Sequence, residues 1–200
     1  AKLLVFDHPY YAHPFRDVFD IVFANTKEKF INGLDECDVV LFTGGSDVSP
    51  HLYNEPEGTH TTTNPARDKF EQFVWHMATQ KGKGKLGICR GLQFAVVMAG
   101  GKLVQHTTGH TGSNHLIEDI FGNSLLMNSV HHQMVRPETV KDSVVIAWNK
   151  GHASSAYLDG FNKEIYLDKV ADKESLKWPE PEIVWLPTQK ALGIQGHPEM

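Results

Sequence analysis

The string Gly87-Ile88-Cys89-Arg90-Gly91 sets a cysteine between two glycines, each two residues away, where a continuous apolar run gives way to a helical pattern. A strand covered on both faces reads as such a run, and glycine lets the chain turn sharply from it into a helix. The turn has the form of a nucleophile elbow, which holds its central side chain out of the sheet with a helix N-terminus behind it. Two further runs read as buried strands, Leu3 to Phe6 and Asp38 to Phe42, and the second stops abruptly at Thr43-Gly44-Gly45-Ser46. A helix starts between the second run and the elbow. Asn64 is its N-cap, Pro65 its first residue, Phe70, Phe73, Val74 and Met77 its apolar face, and Gly82 and Gly84 its stop. A second helix opens at Arg90, is apolar nearly all round to Met98, and ends at Gly100-Gly101, which predicts deep burial.

The later half reads differently. Val144 to Trp148, Glu164 to Leu167, Ile183 to Leu186 and Ala191 to Gln195 are candidate strands, while Gln105 to Ser129, rich in His, Thr, Gly and Asn, reads as a long functional loop with one short strand. The expectation is one α/β domain over residues 1–200. Its central sheet is mostly parallel and flanked by helices, with antiparallel strands in the C-terminal half.

Composition narrows the function. A net charge of -5, with no Lys/Arg cluster, argues against nucleic acid as a partner. No run approaches the ~18 apolar residues of a membrane span, and Asp7, His8 and Pro9 stop the opening run, so neither a membrane nor a signal peptide is expected. Two cysteines are too few for a disulfide scaffold and fit a reducing cytoplasm.

A helix N-terminus lowers a cysteine's pKa, which suits Cys89 for attack on carbonyl carbon. Cys37 lies among Asp35, Glu36 and Asp38, whose negative charge opposes a thiolate, and reads as structural. Near the end stands Gln195-Gly196-His197-Pro198-Glu199. Residues two apart on an extended segment point the same way, so Glu199 can orient the His197 ring while the ring serves Cys89. Gly44 and Gly45 allow close backbone approach, and the N–H groups of Gly45 and Arg90 are candidates for an oxyanion hole. His106, His110 and His115 have spacings near those of zinc ligands, but no Cys or acidic companion is evident, so no metal is expected. His131 and His132 read as cleft-lining. Arg67 and Glu71, one turn apart, read as a surface ion pair.

These strings, together with Gly44 to Glu55, Arg67-Asp68 with Glu71, and Asn128-Ser129-Val130-His131-His132-Gln133, resemble the class I glutamine amidotransferase superfamily, and within it the gamma-glutamyl hydrolase-like branch that includes gamma-glutamyl-gamma-aminobutyrate hydrolases. The resemblance implies a flavodoxin-like fold, with Cys89 as nucleophile, His197 as acid/base and Glu199 as its orienter. It further implies substrate contacts at Gly44, Gln93, Ser129, Val130 and His131, a glutamyl thioester intermediate, and no cofactor. Two departures stand out: Asn54 where the branch often has Gly, and Gly196 where Trp is common. Three functions stand as alternatives. The chain hydrolyses small gamma-glutamyl amides, alone or as a homo-oligomer; it is a glutaminase subunit feeding ammonia to a synthase partner; or it is a non-catalytic binding protein.

Overall fold

The computed structural model describes residues 1–149, 151, 154–165 and 180–200. Its strands are β1 (Lys2–Phe6), β2 (Asp20–Ala24), β3 (Val39–Phe42), β4 (Gly84–Ile88), β5 (Lys102–Val104), β6 (His106–Thr107), β7 (Thr111–Asp119), β8 (Ser124–Val130), β9 (Met134–Arg136), β10 (Val144–Asn149), β11 (Tyr157–Leu158), β12 (Glu180–Leu186) and β13 (Ala191–Ile194). The helices are α1 (Lys27–Gly33), α2 (Pro65–Gln80) and α3 (Arg90–Met98). Nine strands join in the order β2-β1-β3-β4-β13-β12-β10-β7-β8. The first five are parallel and the rest antiparallel, which is the mixed sheet anticipated from the apolar runs.

Alternation along the parallel strands builds two cores. Leu4, Val40 and Phe42 face the helices and meet Phe30, Trp75 and Phe94. Leu3, Val5, Leu41, Leu86 and Ile88 point the other way, against Tyr11 and Ala12. With both faces covered, Leu3, Leu4 and Val5 are wholly buried, which is why β1 is a continuous apolar run. The start of α2 is as expected: Asn64 Oδ1 accepts from the Arg67 N–H at 3.1 Å, with Pro65 at the first turn. No helix among the described residues is long and apolar enough to cross a membrane.

Three elements differ from expectation. Gln105 to Ser129 is no loop but chiefly a hairpin, β7 paired with β8, whose turn is fixed by Asp119 Oδ1 accepting from the N–H groups of Phe121 and Asn123. At the sheet edge its strands leave Leu116, Leu125 and Leu126 exposed, so strict apolar/polar alternation is lacking. β2 and α1 were not anticipated. α1 buries only Phe30 and is capped by Thr26, whose hydroxyl oxygen accepts from the Lys29 N–H. The candidate strand Glu164 to Leu167 extends beyond the described residues, and only Glu164 is seen bridging to Leu158.

The placement of β13 sets up the site. The chain's tail returns to the sheet centre and runs parallel to β4, with Ile194 in register with Ile88. Cys89, at the C-terminal end of β4, and the Gln195–Glu199 tail, at the C-terminal end of β13, are therefore delivered to the same end of the sheet.

Candidate active site

The elbow is as tight as its glycines suggested. Cys89 has φ +51°, in the left-handed region that side chains rarely adopt. A Cβ on Gly87 would stand 2.4 Å from the Gly91 backbone, and one on Gly91 would stand 2.0 Å from the Phe42 carbonyl oxygen. Neither contact can be relieved by a side-chain rotation. The strained residue is tied across the sheet by its N–H donating to the Ile194 carbonyl at 2.7 Å, and it caps α3. The Arg90 N–H is one of the helix-end donors with no partner inside the helix.

His197 is held from both sides. Its Nδ1 lies 2.7 Å from Glu199 Oε1, and its own backbone is clamped by Asn128, whose amide oxygen accepts from the His197 N–H and whose amide nitrogen donates to the His197 carbonyl, each at 2.7 Å. Burial opposes a charge on this ring, but Cys89 and Glu199 outweigh it and raise the pKa to about 10. Tyr11 stacks obliquely 6.2 Å from the ring, and burial raises its own pKa. A Cβ on Gly44 would meet the Tyr11 hydroxyl at 2.7 Å and His197 Cε1 at 3.0 Å. At Gly196 a Cβ would stand 2.8 Å from the Asn128 backbone carbonyl oxygen, which cannot rotate away, and 2.3 Å from the Met127 sulfur. Asn128 and Tyr11 were not singled out by sequence reasoning; Asn128 carried a signal only as part of the block before Ser129.

Arg67 and Glu71 are not a surface pair. Arg67 donates to the carbonyls of Thr43 and Gly44, each at 2.8 Å, and to Glu71 at 2.8 Å. The other Glu71 oxygen takes the guanidinium of Arg90, which also binds Asp68, and Asp68 in turn accepts from Ser49. Arg90 is wholly buried. The i,i+4 spacing suits a solvated face as well as this one; distant Arg90 and Thr43 decide the matter. Because the peptide unit is planar and trans, anchoring the Gly44 carbonyl on Arg67 turns the Gly45 N–H away from Arg67.

A cleft of about 180 Å³ includes Gly45, Cys89, Gln93, Val130 and His131 in its lining. That is below the roughly 300–1,000 Å³ of drug-sized sites and suits a group the size of an amino acid. The Gln93 amide nitrogen donates to the Gln133 carbonyl at 3.2 Å. His131 lies on the same wall, its pKa pushed down to about 3 by burial and by neighbouring His110. Ser129 is turned the other way, its hydroxyl donating to the His110 carbonyl at 2.7 Å. At the mouth, His132 sits 3.2 Å from Asp47, whose hydrogen bond raises its pKa. Of the loop histidines, His106 stacks on His60 at 4.0 Å, away from His110 and His115, which meet edge-on at 5.3 Å.

A family profile described as Peptidase C26 matches residues 18–137. The glutamine amidotransferase-like protein YvdE of Lactococcus lactis subsp. lactis is 33% identical over 155 residues, 64% of this chain and 66% of that protein. The carbamoyl phosphate synthase small chain of Xanthomonas campestris pv. campestris is 25% identical over 82% of this chain and 38% of its own length. The chain thus spans between about a third and two thirds of these curated relatives. In three dimensions, a glutamine amidotransferase from Thermotoga maritima superposes with a TM-score of 0.61 at 15% identity, covering 100% of this chain and 76% of that one, which is a likeness of fold.

Proposed function

The chain belongs to the Peptidase C26 family, and from that premise we propose that it is a cysteine-dependent hydrolase of gamma-glutamyl amide bonds. The observation that carries this reading is the tail of β13 bringing the His197–Glu199 pair beside the elbow, so that the imidazole responds to both Cys89 and Glu199.

In this reading the Cys89 thiolate attacks the gamma carbonyl, forming a C–S bond while the carbonyl π electrons move onto oxygen. That oxyanion faces the N–H groups of Gly45 and Arg90, the first aimed by Arg67 and the second supplied by the start of α3. His197, protonated and held by Glu199, gives its proton to the leaving nitrogen as the C–N bond breaks. The glutamyl thioester remains. Water then loses a proton to His197 and attacks the thioester carbon, and the C–S bond breaks to release glutamate and restore the thiolate. Gln93, Val130 and His131 line the cleft and, with Gly44 and the backbone edge at Ser129, which lie outside that lining, make up the proposed cradle for the glutamyl group. The triad requires no metal or organic cofactor.

Glutamate release from gamma-glutamyl-gamma-aminobutyrate, glutamine and a polyglutamyl peptide tests the reading. Turnover without a partner, abolished in Cys89→Ala, supports it, with a trapped acyl group located on Cys89 by mass spectrometry. Absence of turnover on all three overturns it. A second reading, a glutaminase subunit that hands ammonia to a synthase, is favoured by the likeness to the carbamoyl phosphate synthase small chain. It requires glutamine turnover that is low alone and rises with a synthase partner.

A further inference from the structure

Behind His131, on the side away from Cys89, the antiparallel half of the sheet buries a second cluster of chemistry-bearing groups. His110 precedes β7, His115 lies within it, and Glu180 and Glu182 share one face of β12. The strand between, β10, ends at Asn149, which is in register with Ile117 on one side and Glu180 on the other. His115, two residues beyond Ile117, lies past the end of β10, and its Nε2 is 2.7 Å from Glu182 Oε1.

The hydrogen bonds fix where the ring protons are. Ser129 donates its one hydroxyl proton to the His110 carbonyl, so His110 Nδ1, 3.0 Å from the same oxygen, must be the donor there. His110 Nε2 lies 3.1 Å from Glu180 Oε2, the carboxylate that faces it. His115 binds Glu182 through Nε2, and its Nδ1 is buried without a hydrogen-bond partner. Glu182 is wholly buried, and its second oxygen also lacks a hydrogen-bond partner. A ring nitrogen each from His110 and His115 and a carboxylate oxygen of Glu182 lie within 4.8 Å of one another. Extra protons on the rings would neutralise the carboxylates yet leave His115 Nδ1 with no acceptor.

We propose that His110, His115 and Glu182 form a binding site for a divalent first-row cation, zinc by the donor set. Two imidazoles and a carboxylate are a known zinc combination, and a ring whose far N–H is held by a neighbour is the usual arrangement of a ligating histidine. Bonds of about 2.0–2.2 Å place tetrahedral ligands ~3.3 Å apart, so closing the present spacing takes shifts of roughly an ångström shared among three side chains. The sequence reading weighed His106, His110 and His115 and expected no metal for want of an acidic companion; the proposal departs from it, because β12 supplies Glu182 beside His110 and His115. The site stands apart from the catalytic reading. Its consequence is mechanical, because the Glu182 carbonyl accepts from the Gln195 N–H at 2.7 Å, two residues before His197, and His110 packs on His131 at 4.5 Å.

The test uses the chain with Cys89→Ser, which removes the sulfur beside His197, stripped with a chelator and dialysed against micromolar free zinc. Atomic emission should find one zinc per chain, with the affinity at least tenfold weaker in His115→Ala and in Glu182→Gln, about tenfold weaker in Ser129→Ala, and unchanged in His197→Ala. No retained zinc overturns the proposal, as does retention undiminished in the His115 and Glu182 variants or lost with His197→Ala. Should a variant fail to fold, cobalt in the Cys89→Ser protein decides. Intense four- or five-coordinate ligand-field bands support the site, and a weak octahedral spectrum overturns it.

Discussion

Two buried clusters of charge back the cleft, and they are built on opposite rules. Behind the elbow and the Gly44-Gly45 turn, all four carboxylate oxygens of Asp68 and Glu71 have a donor from Arg67, Arg90 or Ser49. Behind His131, one Glu182 oxygen and the outer nitrogens of His115 and His131 have no hydrogen-bond partner. Burying charge is tolerable only when it is paired; in the first cluster every carboxylate oxygen is paired and only the Arg90 Nε lacks a hydrogen-bond partner, whereas in the second a carboxylate oxygen of Glu182 itself is left open to a ligand. The difference separates a scaffold that fixes backbone from a site that takes up a ligand.

The largest expected effect removes the chemistry and leaves both clusters alone. Cys89→Ala should cost at least about a thousandfold in kcat on any gamma-glutamyl substrate the parent turns over, with the urea midpoint held or slightly lowered by loss of a neighbour that favours the His197 proton. Arg90→Ala strikes the closed cluster, stranding Asp68 and Glu71, and should lower unfolding free energy by about 3–5 kcal/mol in urea titrations. A matched pair then puts the comparison at risk. Glu71→Gln gives up two ion pairs and should cost about 3 kcal/mol, whereas Glu182→Gln in metal-free protein should cost about 1 kcal/mol, since it gives up one hydrogen bond. Equal losses would show that the two clusters are not different in kind.

How legible these regions were in the sequence obeys the same division. The elbow could be read because its requirement is steric and local: Gly87 and Gly91 stand where no Cβ fits, and they flank Cys89 by two residues. The His197–Glu199 pair could be read from its spacing, but not for the reason expected: the segment is a turn rather than an extended strand, closed by the Met200 N–H on the His197 carbonyl at 3.2 Å, and the turn brings Glu199 back to the ring. The second cluster could not, since Glu182 is 67 residues from His115 and no local pattern links them. Nor could the inward pairing of the partly buried Arg67 and Glu71, which depends on Thr43 and Arg90. The β7–β8 hairpin was hidden because an edge pair need not bury a face, and α1 because a single buried residue, Phe30, leaves no stripe.

The smallest expected effect concerns pH and the one histidine that both halves of the fold hold, through Asn128 on β8 and the tail of β13. His197 binds its proton more tightly folded than unfolded. Its contribution to stability is therefore complete below its unfolded pKa of about 6.5 and fades as pH rises through about 10. The same proton is the one proposed to go to the leaving amine, so kcat/KM should hold at mildly alkaline pH and fall near pH 10. Glu199→Gln removes a neighbour that raises this pKa and should move the alkaline limb down by about one unit, the ~1.4 kcal/mol of one charge-assisted hydrogen bond. Glu182→Gln, which touches the tail only through backbone, should leave that limb in place in metal-free protein. A limb that moves with Glu182→Gln but not with Glu199→Gln would mean that the second cluster, rather than the triad's own carboxylate, sets the charge on His197.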